Sequence, residues 1–143
     1  MAMINANSNL RIVRASALYD LIATAAFLTP WTASLCLKGF AALSQALELA
    51  RPVPALDATA MLFANLLGSL VVVWAVWRLR YPSRAVGHYD ALARGLFATW
   101  QLVAVAHGAS VLVLGFTLFE VGFGIAQGWP VADKPAGPSR NSD

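Results

Sequence analysis

The sequence predicts an all-α integral membrane protein: a four-helix bundle with an extra interfacial or kinked helical segment after helix 1. Three observations carry that expectation. The 143 residues are 59% hydrophobic and only 12% charged, with a mean hydropathy of +0.64, whereas soluble domains carry about 25% charged residues. The stretch from Ala60 to Trp77 holds no charge at all, and about 18 apolar residues in a row read as a membrane span. Inside the apolar stretches the few polar residues recur at helical spacing, so each span has one polar line on an otherwise apolar surface.

Taken in order, residues 1–9 form a polar N-terminal tail, and the membrane domain covers 10–130. The first span covers 10–29 and ends at Pro30, because proline lacks an N–H and clashes with the preceding turn. The run from Leu21 to Leu28 behind Arg11 and Arg14 resembles a signal segment, but Asp20 in its approach argues for a retained span. Over 31–50, Leu35, Phe40, Leu43 and Leu47 alternate with Lys38, Ser44, Gln45 and Glu48. This pattern suits a helix lying at the interface or one extending helix 1. Asp57 suits the N-cap of a second span over 58–80. A turn at Tyr81-Pro82-Ser83 leads to a third span over 88–107. The region around Gly108 leads to a fourth over 111–127. The Pro-, Gly- and Ser-rich residues 131–143 read as a disordered tail.

Four spans put both ends of the chain on one side of the membrane. Arg11, Arg14, Arg78, Arg80, Arg84, Lys134 and Arg140 fall on that side, against Lys38 and Arg51 on the other. The bias places both termini in the cytoplasm. The same clustering accounts for the net charge of +3 and excludes nucleic acid as a partner. Trp77, Tyr81, Tyr89 and Trp129 then lie near the cytoplasmic interface, as an aromatic belt does.

Charges at bilayer depth are costly and therefore informative. Asp20, Asp90, Arg94 and Gln127 form an inner polar cluster in the cytoplasmic half. Asp90 and Arg94, four residues apart, can pair on one helix, and Asp20 can reach Arg94 across helices. The functional alternative is an anionic headgroup or small acid held by Arg94. Nearer the midplane lie Glu120, Gln101 and Asn65, with no basic residue expected at their level. Glu120 is then either protonated and hydrogen-bonded to Asn65 or Gln101, or turned towards a hydrated cavity. These three are the candidate ligand- or proton-binding residues.

Other chemistry finds little support. His88 and His107 lie about 28 Å apart by helical rise, which excludes a haem held by both. The single cysteine, Cys36, excludes an intrachain disulfide. No metal-ligand spacing, phosphate loop or nucleophile motif is present, so no metal site and no cofactor is expected. Whether the chain is an enzyme is left open.

The size, the four spans, the arginine pair Arg11 and Arg14 leading into helix 1, and the longer first external connection resemble the DoxX-like group of small bacterial membrane proteins across residues 10–130. That group's glycine-rich first helix and early acidic residue in helix 2 have no counterpart here. The resemblance implies a quinone-associated or redox-accessory role. Three function classes follow from the sequence as a whole. The first is a structural or accessory membrane component acting through a membrane-protein partner or as a homo-oligomer. The second is a protein holding a lipid, quinone or isoprenoid-like molecule between its helices at Glu120. The third is an enzyme or proton-coupled transporter using Glu120.

Overall fold

A computed structural model of the chain describes residues 4–131. It contains five α-helices and one short 3₁₀ turn: α1 (Ala6–Thr24), the turn Ala25–Leu28, α2 (Pro30–Ala46), α3 (Ala58–Arg80), α4 (Arg84–Ala106) and α5 (Val113–Gly128). No strand occurs among the described residues; a single bridge pairs Ile4 with Val131.

Capping side chains set most helix starts. The Asn5 side chain accepts from Ser8 N at 2.7 Å, and Asn9 is buried. The first helix thus begins at Ala6, inside the polar tail expected over residues 1–9, with Asn5 as its cap. The tail expected over 131–143 lies outside the described residues except for Val131, which is buried. Asp57 caps α3, accepting from Ala60 N at 2.7 Å. Ser83 caps α4, accepting from Val86 N at 3.2 Å, so this helix begins four residues before His88.

The segment after α1 does not extend it. Thr29 accepts from Thr32 N at 3.2 Å, and Pro30 occupies the first turn of α2, where its missing N–H costs nothing. The α1 unit, including the 3₁₀ turn, and α2 meet at a bend of 110°. A close backbone approach fixes the joint. A Cβ on Gly68 of α3 would lie 2.6 Å from Phe27 Cβ and 2.9 Å from Phe27 O. Beside it, Asn65 Nδ2 donates to Phe27 O at 2.8 Å. At the same end of the molecule, Arg51 donates to Val105 O at 3.1 Å, placing a cation on the C-terminus of α4.

The helices pack as two pairs, α1 with α3 and α4 with α5, and α1 also touches both members of the second pair. The consecutive helices α3 and α4 are barely in backbone contact. Polarity is distributed inside out. The buried hydrophobics are few and mostly Ala and Val, while Ser16, Asp20, Arg78, Asp90, Arg94, Thr117, Glu120 and Gln127 are buried. Leu62, Phe63, Leu70, Tyr89, Trp100 and Leu118 are each more than half exposed. α3 alone is long and apolar enough to cross a membrane, with a mean hydropathy of 2.0 over its best window. The bent α1–α2 unit qualifies as a second candidate, and α5 is apolar but shorter.

The Gly68 contact yields a direct test. Gly68→Ala is expected to lower stability by about 1–3 kcal/mol, because the new methyl meets backbone that cannot move aside. Gly115→Ala, with open space around the new Cβ, is expected to be neutral or to gain up to about 1 kcal/mol from helix propensity. Thermal unfolding of both variants in one detergent, followed by circular dichroism, reads the difference.

Candidate functional site

Five charged side chains from four helices converge in the bundle. α1 supplies Asp20, α3 supplies Arg78, α4 supplies Asp90 and Arg94, and α5 supplies Glu120. Arg94 Nε donates to Asp90 Oδ2 at 3.0 Å, the i,i+4 pair expected from the sequence. Its Nη1 donates to Glu120 Oε2 at 2.8 Å, and its Nη2 donates to Asp20 Oδ2 at 2.7 Å. Arg78 Nη1 donates to Asp90 Oδ2 at 2.6 Å, and Arg78 Nη2 binds Asp20 Oδ2. Trp74 Nε1 donates to Asp90 Oδ1 at 3.0 Å. Ser16 Oγ accepts from Arg78 Nη1 at 3.1 Å and from Gln127 Nε2. The guanidinium of Arg94 also lies 5.2 Å from the ring centre of Phe123, and that of Arg78 lies 5.8 Å from that of Trp74.

Asp20, Asp90, Arg94 and Gln127 thus belong to one cluster. Two sequence expectations are corrected. Glu120 does have a cationic partner, Arg94. Depth counted along each helix put the two in separate layers, but a long guanidinium side chain bridges layers that backbone rise keeps apart. Glu120 also forms no hydrogen bond with Asn65 or Gln101. Asn65 holds Phe27 O, as described above, and Gln101 Oε1 accepts from Thr117 Oγ1 at 2.8 Å.

Arg78 is the residue the sequence reading missed. It counts there as one of three interfacial arginines, yet its side chain is 0% exposed. Its helical phase carries the signal. Gly68, Val71, Ala75 and Arg78 repeat at three and four residues, so Arg78 shares the small-residue face of α3 that packs inward. Arg80 lies on another face of α3, and Arg84 opens α4.

A cavity of about 570 Å³ rises from this cluster towards the Arg51 end of the bundle. Tyr19, Phe27, Phe40, Phe97, Trp100 and Phe116 give it an aromatic wall, and Asp20, Glu120, Gln101, Thr24 and Ser110 are its other polar residues. Phe40 of α2 packs edge-on against Phe116 of α5 at 5.7 Å, closing one side. A second cavity of about 280 Å³ occupies the gap between α3 and α4. Asp20, Leu67, Val71, Phe97 and Glu120 line both cavities, so the gap leads to the same two carboxyls.

The arrangement limits what can bind. Every donor nitrogen of Arg94 already serves a protein oxygen, and Arg78 lines neither cavity. The anionic headgroup considered for Arg94 would therefore compete with three carboxylates already bound to its guanidinium. No group of three or more metal-ligating side chains occurs among the described residues.

Buried charges respond most to losing one partner. Arg78→Met leaves Asp20 and Asp90 short of a cation and is expected to cost about 3–5 kcal/mol. Adding Asp90→Asn restores the original charge balance and is expected to recover part of that loss. Melting curves of the single and double variants check both statements; an Arg78→Met protein as stable as the parent would contradict them. No protein-family model, curated protein or solved structure matches this chain.

Proposed function

We propose that this chain is a four-span membrane protein of the bacterial inner membrane that holds an amphiphilic small molecule, of lipid, quinone or isoprenoid type, inside its bundle. The spans are α1 with its 3₁₀ turn, α3, α4 and α5, and α2 is a bent segment at the outer surface. The inside-out distribution of polarity supports the membrane assignment. Phe63, Leu70, Trp100 and Leu118 are each more than half exposed, and lipid takes large apolar side chains at no cost where water does not. With Arg78 turned inward, Arg11, Arg14, Arg80, Arg84, Lys134 and Arg140 still outnumber Lys38 and Arg51, which favours cytoplasmic termini.

The single observation that carries the ligand reading is the aromatic cavity with Glu120 and Asp20 in its wall. At about 570 Å³ it falls in the range of small-molecule sites, roughly 300–1,000 Å³, and has the usual apolar wall with few polar groups. The gap between α3 and α4, with Phe97 at the join of the two cavities, offers a sideways route from the bilayer.

The structural or accessory reading rests on a different observation. Gly115 and Gly122 of α5 have open space where a Cβ would stand, leaving a face that another helix could approach closely. Gly124, by contrast, faces Arg94 and Ala91 within the bundle. A partner or a second copy on that face is compatible with an occupied cavity.

Mass spectrometry of gently purified protein tests the ligand reading. One amphiphile per chain is expected, its mass distinguishing lipid, quinone and isoprenoid. Val71→Trp, which places an indole where the two cavities meet, is expected to lose it while keeping the helical circular dichroism spectrum. A parent protein that carries nothing, or a Val71→Trp protein that carries the same molecule, would sink the proposal.

A further inference from the structure

The charge count of the cluster says more about the occupant, given the cavity reading above. Asp20, Asp90 and Glu120 face two guanidiniums, Arg78 and Arg94. Fully ionised, the set carries one negative charge in excess. Its carboxylates are also unevenly used. Both arginines bind Asp20 through the same oxygen, Oδ2, and Arg94 binds Glu120 through Oε2. Asp20 Oδ1 and Glu120 Oε1 have no hydrogen-bond partner among the described residues. Both side chains are about nine-tenths buried, and both line the cavity. Asp90 differs: Trp74 takes its second oxygen.

The geometry points to a lipophilic cation as the ligand, an amine or onium group on an aromatic or apolar body, which exchanges for one proton on the Asp20–Glu120 pair. Two free carboxyl oxygens offer acceptors, and the excess negative charge offers one countercharge. The aromatic faces of Tyr19, Phe40, Phe97, Trp100 and Phe116 suit a diffuse cation, which is attracted by ring quadrupoles. An anion would add to the negative charge that Asp20 and Glu120 already bring to the wall. In the empty protein a proton supplies the missing positive charge, because an uncompensated anion at this depth is costly. Binding then balances as protonated cluster plus cation giving cation-bound cluster plus one proton.

The groups that face the exchanging pair are few. α1 brings Tyr19 beside Asp20, α3 brings Arg78, α4 brings Asp90 and Arg94, and α5 brings Glu120. The residues that α2 contributes to the cavity, Leu37 and Phe40, are apolar.

Tetraphenylphosphonium and tetraphenylborate have one shape and opposite charges, so together they isolate the charge. Nile red, which is neutral, reports on the cavity alone. All three are titrated into the purified full chain, with Val71→Trp as the blocked control. The phosphonium is expected to bind at least tenfold more tightly than the borate. One proton should be released per cation bound, and apparent affinity should rise by up to about tenfold per pH unit where proton and cation compete. Glu120→Gln, which neutralises the excess charge, is expected to weaken phosphonium binding at least tenfold while leaving Nile red binding in place. Asp20→Asn provides the same comparison should Glu120→Gln fail to fold. Equal or tighter binding of the borate, or phosphonium binding without proton release, overturns the exchange. Nile red binding without phosphonium binding overturns it too but leaves the cavity proposal standing. Binding of none of the three overturns both.

Discussion

Arg78 and Arg94 each bind carboxylates on more than one helix, and the rest of the bundle is arranged around that fact. Through them α1, α3, α4 and α5 are tied at one level. Elsewhere the two helix pairs hold together less closely, and α3 and α4 stand apart over much of their length. A buried ion cluster is weak evidence for high stability, since desolvation consumes much of the attraction. It does discriminate strongly between arrangements. A rotation of any of these helices that withdrew one partner would leave a charge unpaired in a medium that cannot hydrate it.

That constraint explains why a cavity persists beside the cluster. The small residues Gly68, Ala75 and Gly124 sit where helices or long side chains come close, and bulky aromatics line the space above. The joint after α1 depends on the same close approach, because Gly68 admits the Phe27 backbone and Asn65 holds its carbonyl. α2 is thereby directed across the bundle, where Phe40 meets Phe116. Polar cluster, aromatic cavity and bent segment are consequences of one packing solution rather than separate features.

The helical, inside-out character of the chain was legible in its sequence. Asp57 reads as a cap from the sequence, whereas Asn5, Thr29 and Ser83 read there as parts of a tail, a span and a turn. In the structure these three cap helices that begin earlier than expected or apart from the first span. The periodicity of Asp90 and Arg94 on α4, and of Ser16 and Asp20 on α1, identified the lines that meet. Two further things were not legible. Depth along a helix predicts where a Cα lies, not how far an arginine reaches, so the Arg94–Glu120 pair was hidden. Arg78 was read with its charged neighbours because a run of arginines near a helix end resembles an interfacial cluster. Only its phase relative to Gly68 and Ala75 separates it from Arg80. The cavity itself leaves no local mark, since its aromatic lining comes from four of the helices and the 3₁₀ turn and looks like ordinary core in each.

The central claim is that two guanidiniums face three carboxyls, with the third charge balanced by something exchangeable. Infrared spectroscopy of the ligand-free protein in lipid bilayers reads that balance directly, through the C=O stretch of a protonated carboxyl. The account predicts one such band, shifted in D₂O, removed by a saturating lipophilic cation and absent from the Glu120→Gln variant. A ligand-free protein with no protonated carboxyl band, all three acids ionised and no cation bound, would contradict it.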